Sequence, residues 1–221
     1  MQFQLIESIT KKIADFVSPP FCEYCKEFIQ QRSIFCSKCF EKISPIVSIK
    51  IGITPDFALS VFAISDYKDP LKSLILAKNW GNGLASKQLG ELIWQMTNLK
   101  FQNFDYLIPI PLHWLRYAKR GFNQSETIAK VLSDKSKKPV CDILKRSRYT
   151  RFQSTLSAVE RTKNVRNVFT IDLSKKIYFE GKDLILVDDL LTSGSTLKAA
   201  AKELLKLKPK SISAVVACRV V

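Results

Sequence analysis

The chain reads as an α/β protein: a mostly parallel twisted sheet flanked by helices, with a small N-terminal module held by four cysteines. Three observations predict this. Short apolar runs alternate with helical patterns over the C-terminal three-quarters of the 221 residues, as chains built from βαβ units do. One run, residues 184–187, is apolar at four successive positions, which suits a strand buried on both faces. Cys22, Cys25, Cys36 and Cys39 form two Cys-x-x-Cys pairs in a stretch too short for a core of its own. The expected division is 1–50 for an N-terminal helix and metal module, and 51–221 for the α/β domain.

The elements follow in order. Leu5, Ile6, Ile9, Ile13, Phe16 and Val17 recur at helical spacing, predicting an amphipathic helix over 3–17. Residues 43–66 are β-branched and aromatic but interrupted by Pro45, Gly52 and Pro55. They read as a connector leading into a strand over 59–65. Helices are predicted over 70–78 and 84–96, separated by Gly81-Asn82-Gly83. A strand over 106–108 is ended by Pro109 and Pro111, and a helix over 124–133 and a strand over 140–144 follow. After a polar stretch come a strand over 184–187, a helix over 195–207 and a final buried strand over 212–217. No internal repeat is present. In such sheets ligands gather at the carboxyl ends of the strands.

Charge is uneven. The net value is +15, yet residues 1–99 carry 11 Lys and Arg against 9 Asp and Glu, and the remainder 24 against 11. The excess belongs to the C-terminal part and points to polyanions: nucleic acid, an anionic membrane or a polyphosphate. No segment approaches the ~18 consecutive apolar residues of a membrane span. The N-terminus lacks the order of a secretory signal, since Lys11 and Lys12 fall in its middle. The expected location is the cytoplasm.

Two Cys-x-x-Cys pairs ten residues apart can bring four thiolates to the corners of a tetrahedron, the demand of structural zinc. Iron accepts the same ligands, and disulfides are the third reading, which a reducing compartment disfavours. A closed set of four leaves no open position, so the metal is expected to be structural. Cys141 and Cys218 sit in apolar contexts and read as small buried hydrophobes.

Residues 184–196 carry the clearest chemistry. Behind the buried strand stand two carboxylates, Asp188 and Asp189, and then hydroxyl residues around a glycine: Thr192, Ser193, Gly194, Ser195 and Thr196. Backbone N–H groups at a helix start attract phosphate, and Gly lets the chain approach it. The acids would repel that phosphate but suit the hydroxyls of an adjoining ribose. An ordinary capped helix accounts for the hydroxyls, though not for paired acids ending a buried strand.

A second signal is the stretch 145–167. It holds Lys145, Arg146, Arg148, Arg151, Arg161, Lys163 and Arg166 against one acid, Glu160, with Tyr149 and Phe152 interleaved. Phosphates want the cations and unstacked bases the aromatic faces. A solvated surface loop is the plainer alternative. The lone His113 reads as polar packing.

The segment 184–196 resembles the phosphoribosyl-diphosphate motif of the type I phosphoribosyltransferases. With the four cysteines, Ile108-Pro109-Ile110-Pro111-Leu112, Arg120-Gly121-Phe122-Asn123-Gln124-Ser125 and the stretch from Arg146 to Asn164, the chain resembles the ComF family of competence proteins over almost its whole length. That resemblance implies a type I phosphoribosyltransferase fold joined to a zinc module, a role in DNA uptake during natural transformation, and single-stranded DNA as ligand. It implies that Arg120, Gly121 and Asn123 meet the diphosphate. It also makes Gln153, Arg161 and Asn164, alongside Arg146, Arg148, Arg151 and Phe152, positions of a specific nucleic-acid contact. Mg²⁺ would accompany phosphoribosyl diphosphate, and a competence helicase or the uptake machinery would be the protein partner. A transferase acting on an unidentified base or amine is the alternative. Lys78, Asn79 and Trp80 are its best candidates for an acceptor hood.

Overall fold

The computed structural model describes residues 19–30, 33–77, 83–112, 117–118, 121–146 and 168–220. The chain divides into two compact units, Met1–Ile43 and Ser44–Val221. The division falls before residue 50 because the first strand of the sheet already starts at Ile46. The helix expected over 3–17, Gly81 and Asn82, the hood candidates Lys78, Asn79 and Trp80, and His113 lie outside the described residues.

In the first unit, each Cys-x-x-Cys pair sits on a tight turn. The Cys22 N–H donates to Glu27 O at 2.9 Å and the Lys26 N–H donates back to Cys22 O at 3.0 Å. Lys26 takes φ 62 to close this turn. The second pair opens the short helix α1, Ser37–Phe40, where the Cys39 and Phe40 N–H groups donate to Cys36 O.

The second unit is built on a six-stranded sheet. Its strands are β1 (Ile46–Thr54), β2 (Phe57–Asp66), β3 (Tyr106–Pro109), β6 (Asp183–Val187), β7 (Leu190–Leu191) and β8 (Ser211–Arg219). The order across the sheet is β1-β2-β8-β6-β3, with β7 also on β8. All neighbours are parallel except β1, which pairs antiparallel with β2. The mostly parallel sheet expected from the alternating pattern is therefore present. A separate pair, β4 (Leu144–Arg146) and β5 (Phe169–Ile171), runs antiparallel.

The connector expected over 43–66 is instead a hairpin. Pro55 and Asp56 form its turn, and Gly52 lies inside β1 beside a register shift. Gly and Pro here mark a bulge and a tight turn at the sheet edge rather than the absence of a strand. The strand expected over 140–144 is shorter in fact: Val140 makes a single bridge to Leu107, and pairing resumes only at Leu144.

Helices cover the sheet: α2 (Leu71–Ala77), α3 (Gly83–Met96), α4 (Gln124–Ser136) and α5 (Ser195–Leu205). Strand alternation splits the core. Leu59, Val61, Ala63, Leu184, Leu186, Ala214 and Val216 share one cluster with Leu197, Ala200, Ala201 and Leu204 of α5. Those α5 positions follow helical i, i+3, i+4, i+7 spacing, so the helix buries one stripe and exposes the other. Helices α3 and α4 pack closely against each other. Gly90 permits it, since a Cβ there would lie 2.8 Å from Val131 Cβ. Among the described residues no helix is long and apolar enough to cross a membrane.

Candidate functional site

The carboxyl ends of β6 and β3 carry the residues read as a phosphate site. Between β6 and β7 the chain stays pinned to β8. The Asp188 N–H donates to Val215 O at 3.1 Å, and Asp189 O accepts from Ala217 N at 3.2 Å. Two acids thus occupy a fixed break between two strands that share one partner. Asp188 is held further by its side chain: Oδ1 accepts from Ser125 Oγ at 2.9 Å and from the Asp189 N–H at 2.9 Å. Ser125 was not among the residues predicted to act at the site. In the sequence it stands only as the last residue of the Arg120-Gly121-Phe122-Asn123-Gln124-Ser125 stretch, with no role attached.

Past β7 the chain turns at Gly194, which takes φ 70 and caps α5. That left-handed geometry is costly for any residue with a Cβ. Room is also short there, since a Cβ would meet Ile51 Cδ1 at 3.0 Å. No side chain caps α5, and its first turn contains no acid. Its leading N–H groups are therefore presented together with hydroxyls, Thr192 and Ser193 exposed, Ser195 and Thr196 half-buried. Ser193 and Ser195 share a hydroxyl bond of 3.0 Å. This is the donor set that a phosphate dianion accepts. Beside the loop lies a cavity of about 230 Å³, walled by Ile49, Ile51, Leu191 and Val220, with Thr192 and Arg219 among its polar lining.

Ahead of α4 the chain turns at Gly121, at φ 77, whose N–H donates to Tyr117 O at 2.7 Å. Asn123 follows as the cap of α4. Its Oδ1 accepts from Ser125 N at 3.2 Å and its Nδ2 donates to Ile110 O at 3.1 Å. The amide thus ties the turn to the end of β3. Arg120 lies outside the described residues. So do Arg148, Arg151, Phe152, Gln153, Arg161 and Asn164 of the basic stretch. Arg146 is described: it ends β4, with its guanidinium 5.6 Å from the centroid of Phe169.

In the first unit Cys22, Cys25, Cys36 and Cys39 bring their sulfurs within 4.8 Å of one another. Cys25 and Cys36 Sγ are 3.7 Å apart. A tetrahedron with metal–sulfur bonds of ~2.3 Å has edges of about 3.8 Å, so the cluster has the size of a four-thiolate metal centre. Crowding separates the thiols. Burial raises Cys22, but backbone hydrogen bonds from Cys36, Cys25 and Tyr24 outweigh it and bring the thiol down to about 6. Burial, with hydrogen bonding to the neighbouring cysteines, pushes Cys39 up to about 12. A central dication removes that conflict by stabilising every thiolate at once.

Comparison with known proteins bears on the family. The family model described as phosphoribosyl transferase domain matches residues 85–220. The chain is 30% identical to competence protein F of Haemophilus influenzae, covering 94% of this chain and 87% of that protein. It is 26% identical to the DNA utilization protein YhgH of Escherichia coli strain K12, covering 90% and 83%. Competence protein ComFC of Bacillus subtilis matches at 35% identity over 48% of this chain and 41% of its own length. Among solved structures, adenine phosphoribosyltransferase from Thermoanaerobacter pseudethanolicus aligns at TM-score 0.41 and 13% identity, over 82% of this chain and 98% of that one.

Proposed function

We propose, for a chain that belongs to the ComF family of phosphoribosyltransferase-like proteins, that it handles single-stranded DNA in competence and holds a phosphoribosyl diphosphate on residues 188–196. One observation carries the pocket: the uncapped start of α5 behind Gly194, next to two acids whose backbone is pinned on β8. In this reading Thr192, Ser193, Gly194, Ser195 and Thr196 take the 5′-phosphate. Asp188 and Asp189 accept from the ribose hydroxyls, as carboxylates do. Arg120, Gly121 and Asn123 meet the diphosphate, and Mg²⁺ accompanies it to neutralise its oxygens. The four cysteines hold zinc, which supplies folding energy to a unit with little core.

The DNA half of the reading rests on charge and on the relatives. Two of them are named competence proteins and one a DNA utilization protein. The C-terminal part carries 24 cationic against 11 anionic residues. Arg146, Arg148, Arg151, Phe152, Gln153, Arg161 and Asn164 supply the contacts, cations for phosphates and the ring for a base. The protein acts beside a competence helicase or the uptake machinery.

Calorimetry with Mg²⁺ and phosphoribosyl diphosphate tests the pocket. The wild type binds, and Asp188→Asn with Asp189→Asn weakens binding at least about tenfold, the scale of two lost hydrogen bonds to sugar. A wild type that gives no heat, or a double variant that binds equally well, sinks it. Filter binding of an oligonucleotide tests the DNA half, whose affinity falls steeply with salt.

The cavity beside the loop favours a second reading, an active transferase. Its 230 Å³ and apolar walls suit a single planar acceptor. In that reaction the acceptor nitrogen bonds to the anomeric carbon as the bond to pyrophosphate breaks. Pyrophosphate release that requires both an added base and intact Asp188 and Asp189 would establish it.

A further inference from the structure

Helix α5 carries a feature that neither the pocket nor the stretch 145–167 explains. Residues 195–210 hold five lysines, Lys198, Lys202, Lys206, Lys208 and Lys210, against one acid, Glu203. Three of them lie four residues apart, Lys198 and Lys202 on the helix and Lys206 at its C-cap, and all three are exposed. Four residues of α-helix rise about 6 Å, which is close to the phosphate repeat of an extended single strand. The opposite stripe, Leu197, Ala200, Ala201 and Leu204, is buried against the sheet, so the lysines stand on a rigid face.

Lys198 stands where a cation is disfavoured, whereas Lys202 and Lys206, at the C-terminal end, suit the helix dipole. Lys198 is the fourth residue of the helix, where the dipole favours acids, and the first turn contains none. The surface lysines of α4 behave differently: Lys130 pairs with Glu126 at 2.7 Å and Lys135 with Glu91 at 2.9 Å. Among the described residues no carboxylate pairs with Lys198, Lys202 or Lys208. Lys206 reaches both carboxylate oxygens of Glu203, at 2.9 and 2.7 Å, so a phosphate at this rung competes with an internal partner. The helix also packs against β5, the strand into which residues 147–167 lead.

We infer that Lys198, Lys202 and Lys206 form a phosphate ladder for single-stranded DNA along α5, leading away from the phosphate loop. The inference rests on the DNA half of the proposed function and adds to it a rigid track of its own. A strand on this track lays successive phosphates against successive helical turns. Its bases face away from the helix, so the track reads no sequence.

Fluorescence anisotropy with a labelled poly-dT oligomer over a salt series tests this. The variant Lys198→Gln/Lys202→Gln/Lys206→Gln is compared with Lys50→Gln/Lys68→Gln/Lys87→Gln, which removes the same charge from exposed positions elsewhere. Neutralising three single-strand phosphate contacts lowers the slope of log affinity against log salt by about 2 and weakens binding about tenfold or more. The control triple leaves the slope near that of the wild type. Equal slopes for wild type and ladder variant overturn the inference while leaving DNA binding intact. Equal loss in both triples also overturns it, because only net charge is then at work. A wild type that does not bind the oligomer overturns the DNA reading and the ladder together. Flotation with vesicles containing phosphatidylglycerol supplies a last arm: a ladder variant that loses vesicles but keeps the oligomer assigns the lysines to a membrane surface and overturns the proposal.

Discussion

At the scale of single residues, the candidate site depends on one hydrogen bond from outside the phosphate loop and one backbone angle within it. Ser125 Oγ donates to Asp188 across the gap between α4 and β6. A hydrogen bond to a carboxylate contributes about 1.5–3 kcal/mol. Ser125→Ala therefore loses roughly that much of any binding energy that depends on Asp188 being held in place, whereas Ser125→Thr keeps the hydroxyl and recovers most of it. Titration of phosphoribosyl diphosphate into both variants checks this, and equal affinities would show that Asp188 is oriented by its backbone alone. Gly194 is the other atom-scale constraint. An alanine there must hold φ near +70 and push Ile51 Cδ1 aside. Gly194→Ala should lower unfolding free energy by about 1–2 kcal/mol, read from the shift of a urea transition midpoint. An unchanged midpoint would mean that the loop relaxes out of the left-handed region.

At the scale of elements, helix approach is limited by Gly90. Its virtual Cβ at 2.8 Å from Val131 Cβ leaves no room between α3 and α4. Gly90→Ala would gain helix propensity but overpack the contact, a net loss of about 1–3 kcal/mol. Combining it with Val131→Ala should restore most of that loss, and a double variant no better than the single would place the strain elsewhere. The elements also show what a sequence exposes and what it hides. Strand β6 was legible because four successive apolar residues leave no helical face, and α3, α4 and α5 because their apolar residues keep one stripe. Strand β1 was not, because Gly52 and Pro55 carry the same letters in a hairpin bulge and turn as in a loop. Strand β7 spans two residues, Leu190–Leu191, too few for any period. The site divides in the same way. The four cysteines and the acid–hydroxyl loop are local spacings, and the chain displays them. The Ser125–Asp188 bond joins residues on separate elements, and it exists only because β3 lies beside β6. No local pattern records that.

At the scale of the whole molecule, metal and proton compete for the first unit. Four sulfurs within 4.8 Å cannot all be thiolates without a cation among them. Above pH 6 Cys22 is already ionised, since backbone hydrogen bonds draw it down to about 6. Cys39, at about 12, still holds its proton, and Cys25 is raised as well. A metal entering the cluster near neutrality must therefore displace protons from at least these two. Each displaced proton makes affinity rise about tenfold per pH unit. Metal affinity should thus climb by about two decades or more per unit between pH 6 and 8, and below pH 6 the reprotonation of Cys22 should steepen the fall. Competition against a chromophoric chelator at a series of pH values measures the slope, with one metal per chain as the endpoint. Cys22→Ser should abolish tight binding and leave residues 19–43 open to proteolysis, as chelation of the wild type should. A pH-independent affinity would mean that the thiolates are already formed, or that fewer than four of them bind. Protection from proteolysis that survives chelation would mean that the turns at Lys26 and Ser37 hold without the metal, and the zinc would then be a passenger rather than the source of that unit's fold.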